Sequence, residues 1–233
     1  MNGKLYLIPT PLGDYPPQRV LTPEVLALLP LVEVFFVEEL RTARRFLSAA
    51  GLRGHIDSLE LHELNEHTFP EEICALAPLM EGRTAALISE AGLPAVADPG
   101  ARLVALAHER GIEVLPQAGP SSLMMALMAS GMNGQHFAFE GYLPVKPDQR
   151  RARIAELERR SARESQTQII IETPYRNDSL MADLMATCRP DTRICIAADI
   201  TLPTQTILTK RAGEWRKSVP VIGKRPCVFV IQA

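Results

Sequence analysis

Four short segments of the chain place polar or conformationally special residues where buried strands should end. They are Pro9-Thr10-Pro11-Leu12-Gly13-Asp14, Ser89 to Gly100, Gly119-Pro120-Ser121-Ser122 and Gly141-Tyr142-Leu143-Pro144. Any one of them reads equally well as a turn punctuated by Gly and Pro. Together, on strand ends of one sheet, they would line a crevice where backbone groups, hydroxyls and carboxylates meet a ligand. A fifth segment, His62-Glu63-Leu64-Asn65-Glu66-His67, invites a metal hypothesis. On a helix its two histidines would lie about 140° apart, unlike the i,i+4 pair of HExxH, so no metal is expected. No GxGxxG occurs, which removes the main fingerprint of a dinucleotide-binding domain.

The elements that must position these loops follow from periodicity. Leu5 to Ile8 is an apolar run stopped by Pro9 and Pro11 and reads as a buried strand. Thr22 offers an N-cap with Pro23 at the first helical position, and Val34 to Val37 suits a buried strand. Helices from about Arg41, Pro70 and Pro99 should end near Gly51, Gly82 and Gly111, with strands at Ala85 to Ile88 and Val114 to Leu115 between them. Strand and helix alternate, so the sheet should be mostly parallel with ligands beyond its carboxyl edge. A change in loop composition at Gly131 to Gln135 puts the expected junction there, giving two α/β domains, 1–134 and 135–233. The second half reads as a strand at Phe137 to Tyr142, an Arg-rich helix near Gln149 to Arg163, and a strand at Gln168 to Glu172. A helix near Ser179 to Cys188 and strands at Arg193 to Ala197 and Cys227 to Ile231 complete it.

In this framework the segment ALISEAGLPAVADPG, Ala86 to Gly100, resembles the signature of the tetrapyrrole methylase superfamily. Within it the chain is similar to the ribosomal RNA small-subunit methyltransferase I branch. IPTPLGD at Ile8 to Asp14, FVEELRTARRFL at Phe36 to Leu47 and LPQAGPSSLMMALMASGM at Leu115 to Met132 support the resemblance. So do GYLPVK at Gly141 to Lys146 and IETPYR at Ile171 to Arg176. It implies two α/β domains of the class III methyltransferase type, with S-adenosylmethionine in the cleft between them. Carried over motif by motif, it assigns the cofactor to Leu12, Asp98, Ala101, Ser121 and Ser122. Glu38, Glu39, Arg41, Glu90 and Arg176 occupy motif positions expected to face the cleft and are the catalytic candidates, each also open to a plain ion-pair role.

The resemblance further implies ribose 2′-O-methylation of small-subunit ribosomal RNA and a homodimer. Methylation of a tetrapyrrole or other small molecule, and a non-catalytic S-adenosylmethionine-binding module, are the alternative readings. The chain departs from the branch at Glu38-Glu39-Leu40-Arg41 and at Ser89-Glu90-Ala91-Gly92-Leu93. It departs again at Ala198-Asp199-Ile200-Thr201-Leu202 with Gln205, and at Gly223-Lys224-Arg225-Pro226. It therefore reads as a divergent paralogue that keeps the cofactor site.

Composition limits the partners. Lys and Arg number 25 against 27 Asp and Glu, so no global field attracts nucleic acid, and a local patch must recruit any RNA. The arginines near Gln149 to Arg163 alternate with Glu156, Glu158 and Glu164, and pairs such as Glu156 with Arg160 would make a solvated, salt-bridged face. Aromatic residues are only 5% of the chain, so base-stacking platforms are not expected. Met124, Met125 and Met128 read as core packing. The four cysteines contain no CxxC and read as reduced core thiols. Without an apolar run of membrane-spanning length or a signal-peptide pattern, the expectation is a cytoplasmic protein with no membrane and no DNA partner.

Overall fold

The computed structural model describes residues 3–233. The chain divides into two compact units, the first running to Ser121 and the second covering Ser122–Ala233. The first contains β1 (Lys4–Ile8), α1 (Pro23–Leu28), β2 (Val34–Val37), α2 (Leu40–Leu47), β3 (Glu60–Glu63), α3 (Pro70–Leu76), β4 (Thr84–Ile88), α4 (Ala101–Glu109) and β5 (Glu113–Pro116). Its strands are all parallel, in the order β3-β2-β4-β1-β5. Ile8 stands opposite Ile88, and Ile88 opposite Val37, so the three central strands finish level with one another.

Both faces of this sheet are covered. Phe35 and Val37 pack with Val25, Leu29 and Leu47, while Val34 and Phe36 pack on the other side with Leu103 and Ala107. Burial on both sides is why Val34–Val37 is a continuous apolar run rather than an alternating one. Local signals agree with the packing: the Thr22 hydroxyl caps α1 by accepting the Val25 N–H at 3.3 Å, with Pro23 at the first position. Gly51, Gly82 and Gly111 all take positive φ where the preceding helices stop.

The second unit contains α5 (Ser122–Ser130), β6 (Phe137–Tyr142), α6 (Pro147–Glu164), β7 (Thr167–Ile171), α7 (Asn177–Thr187), β8 (Arg193–Ala198), β9 (Thr206–Arg211), α8 (Ala212–Trp215) and β10 (Cys227–Gln232). Its sheet runs β6-β7-β10-β8-β9, parallel only between β6 and β7. Leu157, Leu184, Trp215 and Phe229 lie in its core, and the Trp215 ring N–H donates to the Ile194 carbonyl at 2.9 Å. Helix α5 packs on β8, β9 and β10, and the Thr209 hydroxyl donates to the Ser130 carbonyl at 2.9 Å. The units therefore divide before α5, whereas loop composition alone points to 134/135.

Two finer expectations change. The buried face of α5 is Leu123, Ala126, Leu127 and Ser130, while Met124 and Met128 are 39% and 83% exposed, so core packing does not account for those two methionines. Glu156 pairs with Arg153 at 2.7 Å, not with Arg160, because Arg160 is drawn to Glu140. Glu140 sits at a β-bulge in β6 that brings its carboxylate, 8% exposed, between Arg153 and Arg160. Cys188, Cys195 and Cys227 are buried and Cys74 exposed, all as free thiols. Burial pushes Cys188 and Cys227 up to about 12, which makes them inert.

Helices α6 and α7 are clamped by Asp183, which pairs with Arg150 at 2.6 Å and Arg151 at 2.8 Å. Arg150 is 5% exposed and Asp183 9%, so removing the acid strands a buried guanidinium. Asp183→Ala is expected to cost about 3–5 kcal/mol in chemical denaturation. Arg151→Gln, at the exposed partner, should cost less than about 1 kcal/mol.

Candidate functional site

Because the central strands of the first unit end level, the loops that leave them meet. The loop after β1 pairs with the loop after β4: Thr10 N–H donates to the Gly92 carbonyl at 2.9 Å, and Gly92 N–H donates back to Thr10 at 3.1 Å. The buried Thr10 hydroxyl adds a bond to the Ser89 carbonyl at 3.2 Å. Gly92 has φ +83, and a Cβ there would lie 3.2 Å from the Leu12 side chain and 3.5 Å from the Pro120 carbonyl. Three loops thus converge on one residue that is glycine for both its backbone and its neighbours. The loop after β5 is held as closely, since a Cβ on Gly119 would lie 2.2 Å from the Pro9 ring.

Acidic side chains gather at this edge. Glu38 follows β2 and accepts the Glu90 N–H at 3.2 Å. Burial raises its pKa, with the charges of Glu90 and Glu66 adding to the effect and the hydrogen bond from Glu90 opposing it. Asp98 is pushed up to about 7, first by burial and then by the charges of Glu38 and Glu90, against a hydrogen bond with Ser89. The Thr42 hydroxyl lies 2.6 Å from Glu90 and 2.5 Å from Glu39. One hydroxyl proton can be donated to only one of the two carboxylates at a time.

Two cavities open here. One, of about 300 Å³, is lined by Thr10, Asp14, Tyr15, Glu38, Thr42 and Glu90 among others. The other, of about 460 Å³, is lined by Asn65, Glu66, Asp98, Gly100, Ala101 and Arg102 among others. The loop carrying Asp98 contains two left-handed alanines, Ala95 and Ala97, both at φ 63.

The residues singled out from sequence fall into distinct places. Glu38, Glu90 and Asp98 form the acidic group, Leu12 lies against Gly92, Ala101 opens α4 and Ser121 ends the first unit. Glu39 is the N-cap of α2, accepting the Arg41 and Thr42 N–H groups at 2.8 and 2.6 Å, and its pKa is lowered first by the Thr42 hydroxyl and then by these N–H donors. Arg41 is exposed in the first turn of that helix. Ser122 and Arg176 belong to the second unit. Arg176 donates to the buried Glu172 at 2.9 Å, at the end of β7. His62 lies on β3 and bonds to Glu60 at 3.0 Å, and His67 is exposed. Thr10, Thr42 and Ser89 also lie at this edge and were not among the residues singled out. For Thr42 a signal existed, three residues beyond an acidic N-cap.

A parallel sheet with level strand ends, loops packed through glycine and an edge bearing Glu38, Glu90 and Asp98 defines an α/β unit with its candidate site at the carboxyl ends of the strands. The family model for Tetrapyrrole (Corrin/Porphyrin) Methylases matches residues 4–215, and the chain belongs to that family. It is a methyltransferase, in a family whose methyl donor is S-adenosylmethionine. Among similar proteins, "Ribosomal RNA small subunit methyltransferase I" of Neisseria meningitidis serogroup B is 33% identical over 97% of this chain and 73% of its own length. The protein of the same name from Xylella fastidiosa is 37% identical over 88% of this chain and 71% of its own. That from Escherichia coli O157:H7 is 32% identical over 99% and 78%. In fold the chain is similar to the methyltransferase CobJ, with TM-score 0.64, 19% identity and coverage of 99% of this chain and 94% of that one. It is also similar to uroporphyrin-III-C-methyltransferase from Thermus thermophilus, with TM-score 0.56, 20% identity and the same coverage. No helix among the described residues is long and apolar enough to cross a membrane.

The raised Asp98 makes stability depend on pH. The native state binds this proton more tightly than the unfolded chain, so stability falls as pH rises from about 3.8 to about 7. Asp98→Asn should therefore gain thermal midpoint over the parent as pH is raised across that window. A difference that stays constant from pH 4 to 8 would refute the account.

Proposed function

We propose that this methyltransferase moves a methyl group from S-adenosylmethionine to a ribose 2′-oxygen of small-subunit ribosomal RNA. The observation that carries the acceptor is 32–37% identity to proteins named ribosomal RNA small subunit methyltransferase I, spread over 88–99% of the chain. The donor reading is supported by the fit of the first unit's edge to that molecule. Its sulfonium and ammonium groups are cationic, and the edge offers Glu38, Glu90 and Asp98, none of them in a salt bridge among the described residues, with Arg45 and Arg102 also lining the cavities. Gly92 and Gly100 keep the loops close, and a Cβ on Gly100 would lie 2.6 Å from Leu87.

When bound, the cofactor supplies an activated electrophilic methyl group, so the chain's task is alignment, exclusion of water and control of charge. Leu12, Ala101 and Ser121 are the remaining residues proposed to hold the cofactor. The carboxylates stabilise positive charge at the edge, and Glu39 fixes the start of α2 so that Thr42 meets Glu90. Asp98, poised near neutrality, is the candidate to hold or accept a proton at its carboxylate oxygen.

Tritiated S-adenosylmethionine offered with small ribosomal subunits, free ribosomal RNA and a metabolite extract tests the reaction. Label is expected in the RNA of the small subunit, and digestion should return a ribose-methylated nucleoside. Label in the metabolite fraction, or none at all from folded protein, overturns the assignment. A cation arriving beside Asp98 should lower that group's pKa. Calorimetry near pH 6.5 in buffers of different ionisation enthalpy should then show proton release on cofactor binding, and Asp98→Asn should abolish it.

A further inference from the structure

Most of the cations of α6 are spent inside the second unit. Arg150 and Arg151 pair with Asp183, and Arg153 and Arg160 with Glu140. Arg159 is different. It projects with Arg163 from one face of the helix, four residues apart, and Arg189 stands across from them. With Glu158 and the small Ala162 these three arginines enclose a notch of about 360 Å³.

Glu158 also lines the notch and sets one negative charge against the three guanidinium groups. Its carboxylate is buried and accepts the Arg189 backbone N–H at 2.7 Å together with the Thr192 hydroxyl. It thereby fixes the turn that presents Arg189 to α6. Arg163 contacts Glu164, and among the described residues no carboxylate forms a salt bridge with Arg159 or Arg189. Like charges at i,i+4 repel by about 0.2–0.5 kcal/mol; the Glu164 contact offsets part of this between Arg159 and Arg163, and an entering anion would offset more.

We infer that the notch of Arg159, Arg163 and Arg189 takes a phosphodiester group of the RNA that this enzyme methylates. The inference deepens the proposed function and rests on it. A guanidinium fork matches phosphate oxygens in paired hydrogen bonds. No aromatic ring lines the notch, so it offers no aromatic stacking platform, and its guanidinium groups suit the phosphate backbone. With a net charge of −2 the protein has no general attraction for RNA, and a local cationic notch supplies what the whole molecule lacks.

The test compares parent enzyme with a triple variant, Arg159→Gln, Arg163→Gln and Arg189→Gln, in binding small-subunit ribosomal RNA across a salt series. Loss of three single-strand phosphate contacts should lower the slope of log K against log salt by about 2. At low salt the affinity should fall roughly tenfold or more. S-adenosylmethionine affinity and thermal midpoint should be unchanged, which separates the effect from misfolding. A triple variant to Lys should keep most of the slope. If the Gln variant binds RNA as the parent does, the notch assignment fails while the proposed function stands. If the parent binds no RNA, both fail. Saturable binding of inorganic phosphate that depends on the three arginines, with RNA binding unaffected, assigns the notch to a small anion and overturns the inference.

Discussion

The first unit depends on a reciprocal pair of backbone hydrogen bonds between Thr10 and Gly92. These two residues lie on loops from neighbouring strands, far apart in sequence, and the pair ties the loops into one surface. It forms only because β1, β2 and β4 finish level, which the registers of Ile8, Val37 and Ile88 enforce. The registers in turn rest on a sheet buried on both faces, where slipping by one residue would exchange the two packed layers. Core packing, strand alignment and loop closure are thus one continuous constraint, and the acidic group hangs from its end.

The acids at the edge of the first unit and four acids of the second are held in different ways. In the second, Glu140, Glu172, Asp183 and Asp199 each meet an arginine, and these pairs lock strand to helix or turn. Asp199 with Arg225 joins the two segments, 198–205 and 223–226, that the sequence reading set apart from the ribosomal branch. Arg225 binds Asp199 at 2.7 Å and also donates to the Thr204 carbonyl at 2.8 Å, so a local ion pair occupies the altered segment. In the first unit, Glu38, Glu90 and Asp98 are served by N–H and O–H donors instead. Charge left unmatched in a folded protein disfavours the ionised form, and Asp98 registers that cost in its proton affinity.

Much of this was legible in the residues, and what was not has a physical reason. The runs at Leu5 to Ile8 and Val34 to Val37, the cap at Thr22 and the glycines ending helices all act over a few residues and translated directly. Strands β3 and β9 did not, because each lies on a sheet edge where partial exposure admits His62, Thr209 and Lys210. Helix α5 was visible but its allegiance was not, since apolar side chains all around it name no partner face. The acidic candidates Glu38, Glu90 and Asp98 could be listed from motifs. The effect of neighbouring charges on Glu38 and Asp98, the bridging role of Thr42 and the capture of Arg160 by Glu140 needed three-dimensional placement.

Ala95 and Ala97 hold a backbone conformation that alanine disfavours by roughly 1–2 kcal/mol each. Together they store about 2–4 kcal/mol in the loop that carries Asp98, so that loop is shaped by its surroundings rather than by its own preferences. Glycine at either place would relieve the tension and widen the range of poses open to the aspartate. The alanines therefore act as stiffeners, trading a margin of robustness for a narrowly aimed carboxylate.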